Sequence, residues 1–300
     1  MLVAPGTVKF LQYITHEKRY SPHTITSYTK DLEDFLEFYL RTEGSEDLLK
    51  ADKKIIRNFI VDLSEKNISK RSINRKVSTI RSFYKFLLKI EEIKTSPVEN
   101  ISSLKFYAEK QTPISKEEMI KLDEEVFHET DNLLKQCIIE TLYQTGIRKA
   151  ELCGLIFENV NLETQELKII GKGNKERYVP ISEKLAELLS EYLSIRKPQE
   201  DARNLFFVNK NGKKLTEKFV YLAVNKYLSL VTSKEKKSPH ILRHSFATHV
   251  LDNGAEISKV KKILGHSSLA STQLYTNANI EQLKKVFNLA HPRAAKKEEL

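Results

Sequence analysis

SPHILRHSFATH, residues 238–249, gathers a helix start, an anion site and titratable rings into one short stretch. Ser238 is a favoured N-cap residue, and Pro239 suits the first helical position, where its missing N–H is no loss. His240 and Arg243, three apart, share a face of the first turn. Free backbone N–H groups and the positive end of the helix dipole also favour an anion there. The spacing predicts a helix over 240–252 that offers a guanidinium and an imidazole to a negatively charged group. Helical periodicity continues on both sides, near 116–126, 132–145, 182–196, 216–231 and 256–264, with short helices near 268–276 and 279–289.

Three further segments of this half combine basic groups with turn or helix-start signals. In TGIRKAEL (145–152) a glycine ends one helix and Arg148 stands in the first turn of the next. A guanidinium binds phosphate oxygens bidentately and keeps its charge, and Glu151, three residues on, is placed to orient it. GKGNKER (171–177) sits between two alternating stretches, 167–170 and 178–181, and predicts a β-hairpin with Lys172 at its tip. Its spacing is not that of a Walker A loop. LGHSSLASTQLYT (264–276) carries His266 and, nine residues later, Tyr275. A tyrosine is a poor nucleophile until neighbours stabilise its phenolate or take its proton. Each segment alone also has a plainer reading: a surface Arg–Glu pair, a charged hairpin tip, a packing tyrosine. His240 and His244 lie four apart, but no His-Glu-x-x-His motif or cysteine pair accompanies them, and no metal site is expected.

The first part of the chain is helical throughout. Ser21-Pro22 opens a helix to about Leu40, a shorter one covers Lys54 to Glu65, and a third runs from Ser69 to about Ile90. The third sets an apolar stripe (Ile73, Val77, Ile80, Tyr84, Leu87) against a basic, hydroxyl-bearing face with Arg71, Arg75, Ser78, Ser82, Lys85 and Lys89. Such a face can lie along phosphates. Prolines at 97 and 113 punctuate the polar stretch that follows, and Ser115 with Glu118 forms a capping box opening the second half. The expected organisation is a helical domain over 1–105, a linker over 106–113, and a second domain over 114–300. The fold class is mainly α with a small β-hairpin or sheet.

Composition bounds the function. The 300 residues carry a net charge of +10. Counted separately, residues 1–105 and 106–300 hold an equal excess of basic side chains, which suits two domains that both face a polyanion. No apolar run approaches the ~20 residues that span a bilayer, and no signal-peptide pattern is read. The two cysteines, Cys137 and Cys153, form neither a ligand pair nor a disulfide framework. A cytoplasmic location without membrane association is expected.

Taken in order, Arg148, Lys172, His240-x-x-Arg243, His266 and Tyr275 resemble the tyrosine recombinase, or phage integrase, family. Their flanking words look like its Xer-type branch, which resolves chromosome dimers. The resemblance spans essentially the whole chain and implies a SAM-like core-binding domain followed by an α+β catalytic domain with a C-terminal exchange helix. It implies that Arg148 and Arg243 grip the scissile phosphate and that Tyr275 attacks it to leave a 3′-phosphotyrosyl bond. Lys172 then protonates the departing 5′ oxygen, His240 assists proton transfer, His266 hydrogen-bonds the phosphate, and Glu151 supports Arg148. No metal, cofactor or ATP is expected, since fixed cationic donors can stabilise the transition state. The implied partners are double-stranded DNA, three further protomers in a homo- or heterotetramer, and a DNA translocase. Alternatives are an integrase or invertase of a mobile element, a type IB topoisomerase-like enzyme, and a non-catalytic DNA-binding protein on the same fold.

Overall fold

The computed structural model describes residues 5–107, 111–127, 133–171, 174–265 and 277–294. Lys172, His266, Tyr275 and the helix expected near 268–276 lie outside them. The chain divides into two compact units, Met1–Glu109 and Lys110–Leu300.

The first unit holds α1 (Pro5–Gln12), which passes into a π-helical turn, then α2 (Pro22–Glu43), α3 (Lys53–Glu65) and α4 (Lys70–Lys89). Ser21, Asp52 and Ser69 cap the last three by accepting from the backbone N–H three residues on. Helix α4 is central and touches the other three. All five residues of its expected apolar stripe are buried, in a core with Phe10, Phe35, Phe59 and Phe83. Helix α1 was not foreseen, because its eight residues hold too few apolar positions to show a period. A second feature not foreseen is ionic. Asp31 on α2 is fully buried, bonded to Arg75, Lys76 and the Thr79 hydroxyl of α4. The segment after α4 also belongs to this unit: the Asn74 amide pairs with the Leu104 backbone at 2.8 and 2.9 Å, and Arg81 donates to the Ile101 carbonyl.

The second unit is built around α6 (Leu133–Thr145), whose residues from Cys137 to Thr145 are all buried. Burial on every side, with Glu140, Thr141, Gln144 and Thr145 included, places this helix inside the domain. Packed on it are α8 (Glu183–Ile195), α9 (Glu217–Val231) and α10 (Pro239–Asp252). Helix α5 (Lys116–Lys121) opens with the expected Ser115–Glu118 capping box. A three-stranded antiparallel sheet runs β1 (Val160–Asn161), β2 (Glu166–Ile170), β3 (Glu176–Pro180), in that order. The expected hairpin is β2–β3, with Ile170 opposite Glu176; β1 is too short to show alternation. Among the described residues no helix is long and apolar enough to cross a membrane.

The last helix, α12 (Asn277–Ala290), packs on its own unit against β3, α10 and α11 (Ile257–Leu264). Leu283, Phe287 and Ala290 are buried. Leu289, on the same helix, is 84% exposed, because it lies about 100° or more around the helix axis from each of those positions. Beyond the helix, Arg293 reaches the buried Glu140 through two bonds, and also meets Asp123 and the Met119 carbonyl.

His291 is 1% exposed, stacked on Phe287 with ring centroids 4.8 Å apart and edge-on to Tyr143. Its Nδ1 accepts the Arg293 N–H. Burial holds its pKa down from 6.5 to about 3, and His249, bonded to the Tyr143 hydroxyl, is lowered for the same main reason. A folded pKa below the unfolded one gives stability that is complete above pH 6.5 and lost as the pH falls toward 3. His291→Phe is therefore expected to remove about one proton from the slope of unfolding free energy against pH between about 6 and 4. Chemical denaturation across that range checks it, and an unchanged slope would mean that the ring does not titrate on unfolding.

Candidate active site

Gly146 begins the site. It follows α6 at φ +60°, and a Cβ there would stand 2.7 Å from both Phe246 and Leu264. Only glycine fits in both conformation and space. The turn delivers Arg148 as the residue just before α7 (Lys149–Cys153), so the arginine caps that helix rather than sitting inside its first turn. The Glu151 carboxylate receives the Arg148 backbone N–H at 2.7 Å and its guanidinium at 2.9 Å. The expected orienting role of Glu151 thus has a geometric basis. Arg148 itself stays half exposed.

Glu151 is shared. Arg177, on β3, places Nη1 and Nη2 at 3.0 and 2.8 Å from its two oxygens, in a parallel fork. Burial would raise the Glu151 pKa, but the bonds and charges of Arg177 and Arg148 outweigh it and hold the carboxyl below 4.5. Arg177 also donates through Nε to the Ile263 carbonyl at 2.7 Å. Arg177 lies within GKGNKER, where no motif assigns it a part. The signal was the period of two: Arg177 and Val179 are both buried, so the arginine points to the core face of the strand.

Arg243 comes from α10 and is 7% exposed. Its Nη1 donates to the Gly146 carbonyl at 2.6 Å and its Nη2 to the Leu264 carbonyl at 2.7 Å. Consecutive carbonyls at the end of α11, Ile263 and Leu264, are thus taken by two different arginines. Those carbonyls have no helical partner, and the helix end is negative. The chain then leaves α11 through Gly265 at φ +64°. Burial, followed by the charges of Arg148 and Arg177, brings the Arg243 pKa down to about 10. Three guanidinium groups around one carboxylate make a site that gains from an anion.

The other expected residues are placed as follows. His240, in the first turn of α10, is exposed. Ser238 and Pro239 take the expected positions, yet the Ser238 hydroxyl makes no capping bond; its carbonyl accepts the Ile241 N–H. His244 donates Nε2 to the Gln111 carbonyl at 3.1 Å, away from any shared ligand role with His240. In the first unit, Arg71 and Lys85 stand exposed on α4. Arg75 turns toward buried Asp31, and Lys89 lies over the Tyr13 ring and near Glu17, so part of that basic face is already held within the fold.

Residues 112–282 match the phage integrase family, and residues 8–91 match the phage integrase N-terminal SAM-like domain. The chain is 36% identical over 295 residues to the tyrosine recombinase XerC of Listeria innocua, covering 95% of this chain and 97% of that one. It is 34% identical over 300 residues to the XerC of Bacillus subtilis, covering 96% of each. Among solved structures it is similar to the XerH site-specific recombinase bound to palindromic difH substrate in a post-cleavage complex. That match has a TM-score of 0.71 and 25% identity, and covers 87% of this chain and 78% of that one.

Proposed function

The chain belongs to the phage integrase family of tyrosine recombinases, and we propose that it is a Xer-type site-specific recombinase that cuts and rejoins DNA through Tyr275. The observation that carries this reading is the fixed cluster of Arg148, Arg177 and Arg243 around Glu151 and the end of α11. Such a cluster stabilises a phosphodiester transition state without reorganising.

Arg148 and Arg243 hold the nonbridging oxygens of the scissile phosphate. The Tyr275 phenol gives its proton to His240 as its oxygen bonds to phosphorus, and the bond from phosphorus to the 5′ oxygen breaks. Lys172 donates a proton to that oxygen, and His266 hydrogen-bonds the phosphate as its charge grows. One phosphodiester is exchanged for another, so attack by a 5′-hydroxyl from a second duplex completes strand exchange without ATP. Arg71, Arg75, Lys85 and Lys89 serve the first unit's contact with DNA phosphates. Four protomers act on two sites, with or without a second recombinase, in the cytoplasm, and a DNA translocase times the reaction. Resolution of chromosome dimers is the role that the XerC relatives favour over mobile-element integration.

The test uses nicked suicide duplexes tiled across candidate recombination sites of the source genome, with EDTA present. The expected product is a protease-sensitive protein–DNA adduct on a denaturing gel, with its nucleotide mapped to the peptide containing Tyr275. An adduct mapped to another residue, or one that needs a divalent metal, would overturn the mechanism.

A further inference from the structure

We propose that Arg177 is a positioning residue for DNA cleavage: its buried guanidinium sets the angle of Arg148 through Glu151 and locks that pair to the end of α11. The inference rests on the recombinase reading above and extends it to a residue that touches no DNA.

Three observations support it. All three nitrogens of the side chain are engaged, since Nε and both Nη atoms donate to Glu151 or the Ile263 carbonyl at 3.0 Å or less. The space around it is tight at Gly265, where a Cβ would come within 3.2 Å of its Nη1, whereas one at Gly171 would stand at 3.4 Å, an ordinary contact. In sequence those glycines immediately precede Lys172 and His266. Finally, Arg177 is 4% exposed on a strand whose next inward residue is Val179. An apolar side chain would fill that place without the desolvation cost of a guanidinium. A lysine, with one compact charge, cannot span two carboxylate oxygens and a carbonyl on another segment.

The consequence is a chain of fixed contacts. Glu151 accepts both the backbone N–H and the guanidinium of Arg148 while its oxygens are held from the other side by Arg177. Without Arg177, the carboxylate is free to rotate, and Arg148 loses its set direction while keeping its charge. Loss of direction slows the chemical step more than it weakens DNA binding.

The experiment compares wild type with Arg177→Lys, Arg177→Met and the double variant Glu151→Gln/Arg177→Met. Rates of single-turnover adduct formation are measured on the suicide duplex that the wild type cleaves, beside gel-shift affinity and thermal unfolding. Arg177→Lys is expected to bind DNA within about threefold of wild type and to form adduct at least about thirtyfold more slowly. Arg177→Met leaves the Glu151 carboxylate with Arg148 as its remaining partner and is expected to lower the unfolding temperature. The double variant recovers that temperature without recovering the rate. Combining Arg177→Lys with Arg148→Lys is expected to cost clearly less than the product of the single losses, as it must for residues acting in series. Wild-type rates in Arg177→Lys or in the folded double variant, or fully multiplicative losses with Arg148→Lys, would overturn the positioning role while leaving the recombinase reading intact. A wild type that forms no adduct on any duplex would remove both.

Discussion

Tyr275→Phe is expected to bind the recombination site as tightly as wild type and to form no covalent adduct at all. The substitution removes one oxygen and keeps the ring, so packing around the side chain changes little. Affinity for DNA comes mainly from phosphate contacts made by other residues, and the arginine cluster at Glu151 is left whole. The chemistry has no substitute, because a covalent intermediate requires its nucleophile. Adduct formation is therefore expected to fall by more than about a thousandfold, with gel-shift affinity unchanged within about threefold. A parallel loss of binding would instead make Tyr275 a structural residue. Residual adduct would mean that another side chain attacks.

Removing residues 277–300 is expected to unfold the second unit rather than yield a trimmed, active enzyme. Phe287 is 1% exposed, and truncating a buried aromatic costs about 3–5 kcal/mol. The same cut takes away Arg293 and leaves the buried carboxylates of Glu140 and Asp123 without their shared partner. Breaking a buried charge pair costs about 3–5 kcal/mol more. Together these losses approach the whole stability of a typical domain, about 5–15 kcal/mol. The expected outcome is an insoluble or protease-sensitive chain, scored by limited proteolysis and circular dichroism. A truncated protein with native unfolding temperature would show that the contacts of α12 contribute little. For the same reason truncation is a poor probe of contacts between protomers. A substitution at Leu289, exposed on the outer side of α12, probes such contacts without opening the core.

Much of this architecture is local and was legible in the chain. The stripe of α4 follows from apolar residues at helical spacing, and the starts of α2, α4 and α5 from Ser21, Ser69 and Ser115, whereas the Asp52 cap of α3 shows only in the fold. The β2–β3 hairpin follows from alternation on either side of a glycine-rich turn. Arg148, Glu151 and Arg243 stood out because each lies beside a helix start, where charge and free N–H groups coincide. Helix α1, strand β1 and the pairing of Asn74 with Leu104 were not legible, since short elements carry no period and long-range pairing carries no local sign.

What the sequence determined by itself, then, is the class of fold, the positions of many of its caps and turns, and the cationic groups proposed to hold a phosphate. Those depend on residue types a few positions apart, and such interactions survive in any surrounding structure. Only the tertiary structure decided how the charges are paired. Arg177 meets Glu151 from 26 residues away, and Arg293 meets Glu140 from 153 away. A buried charge selects its partner by distance and desolvation, and both quantities exist only once the chain has folded.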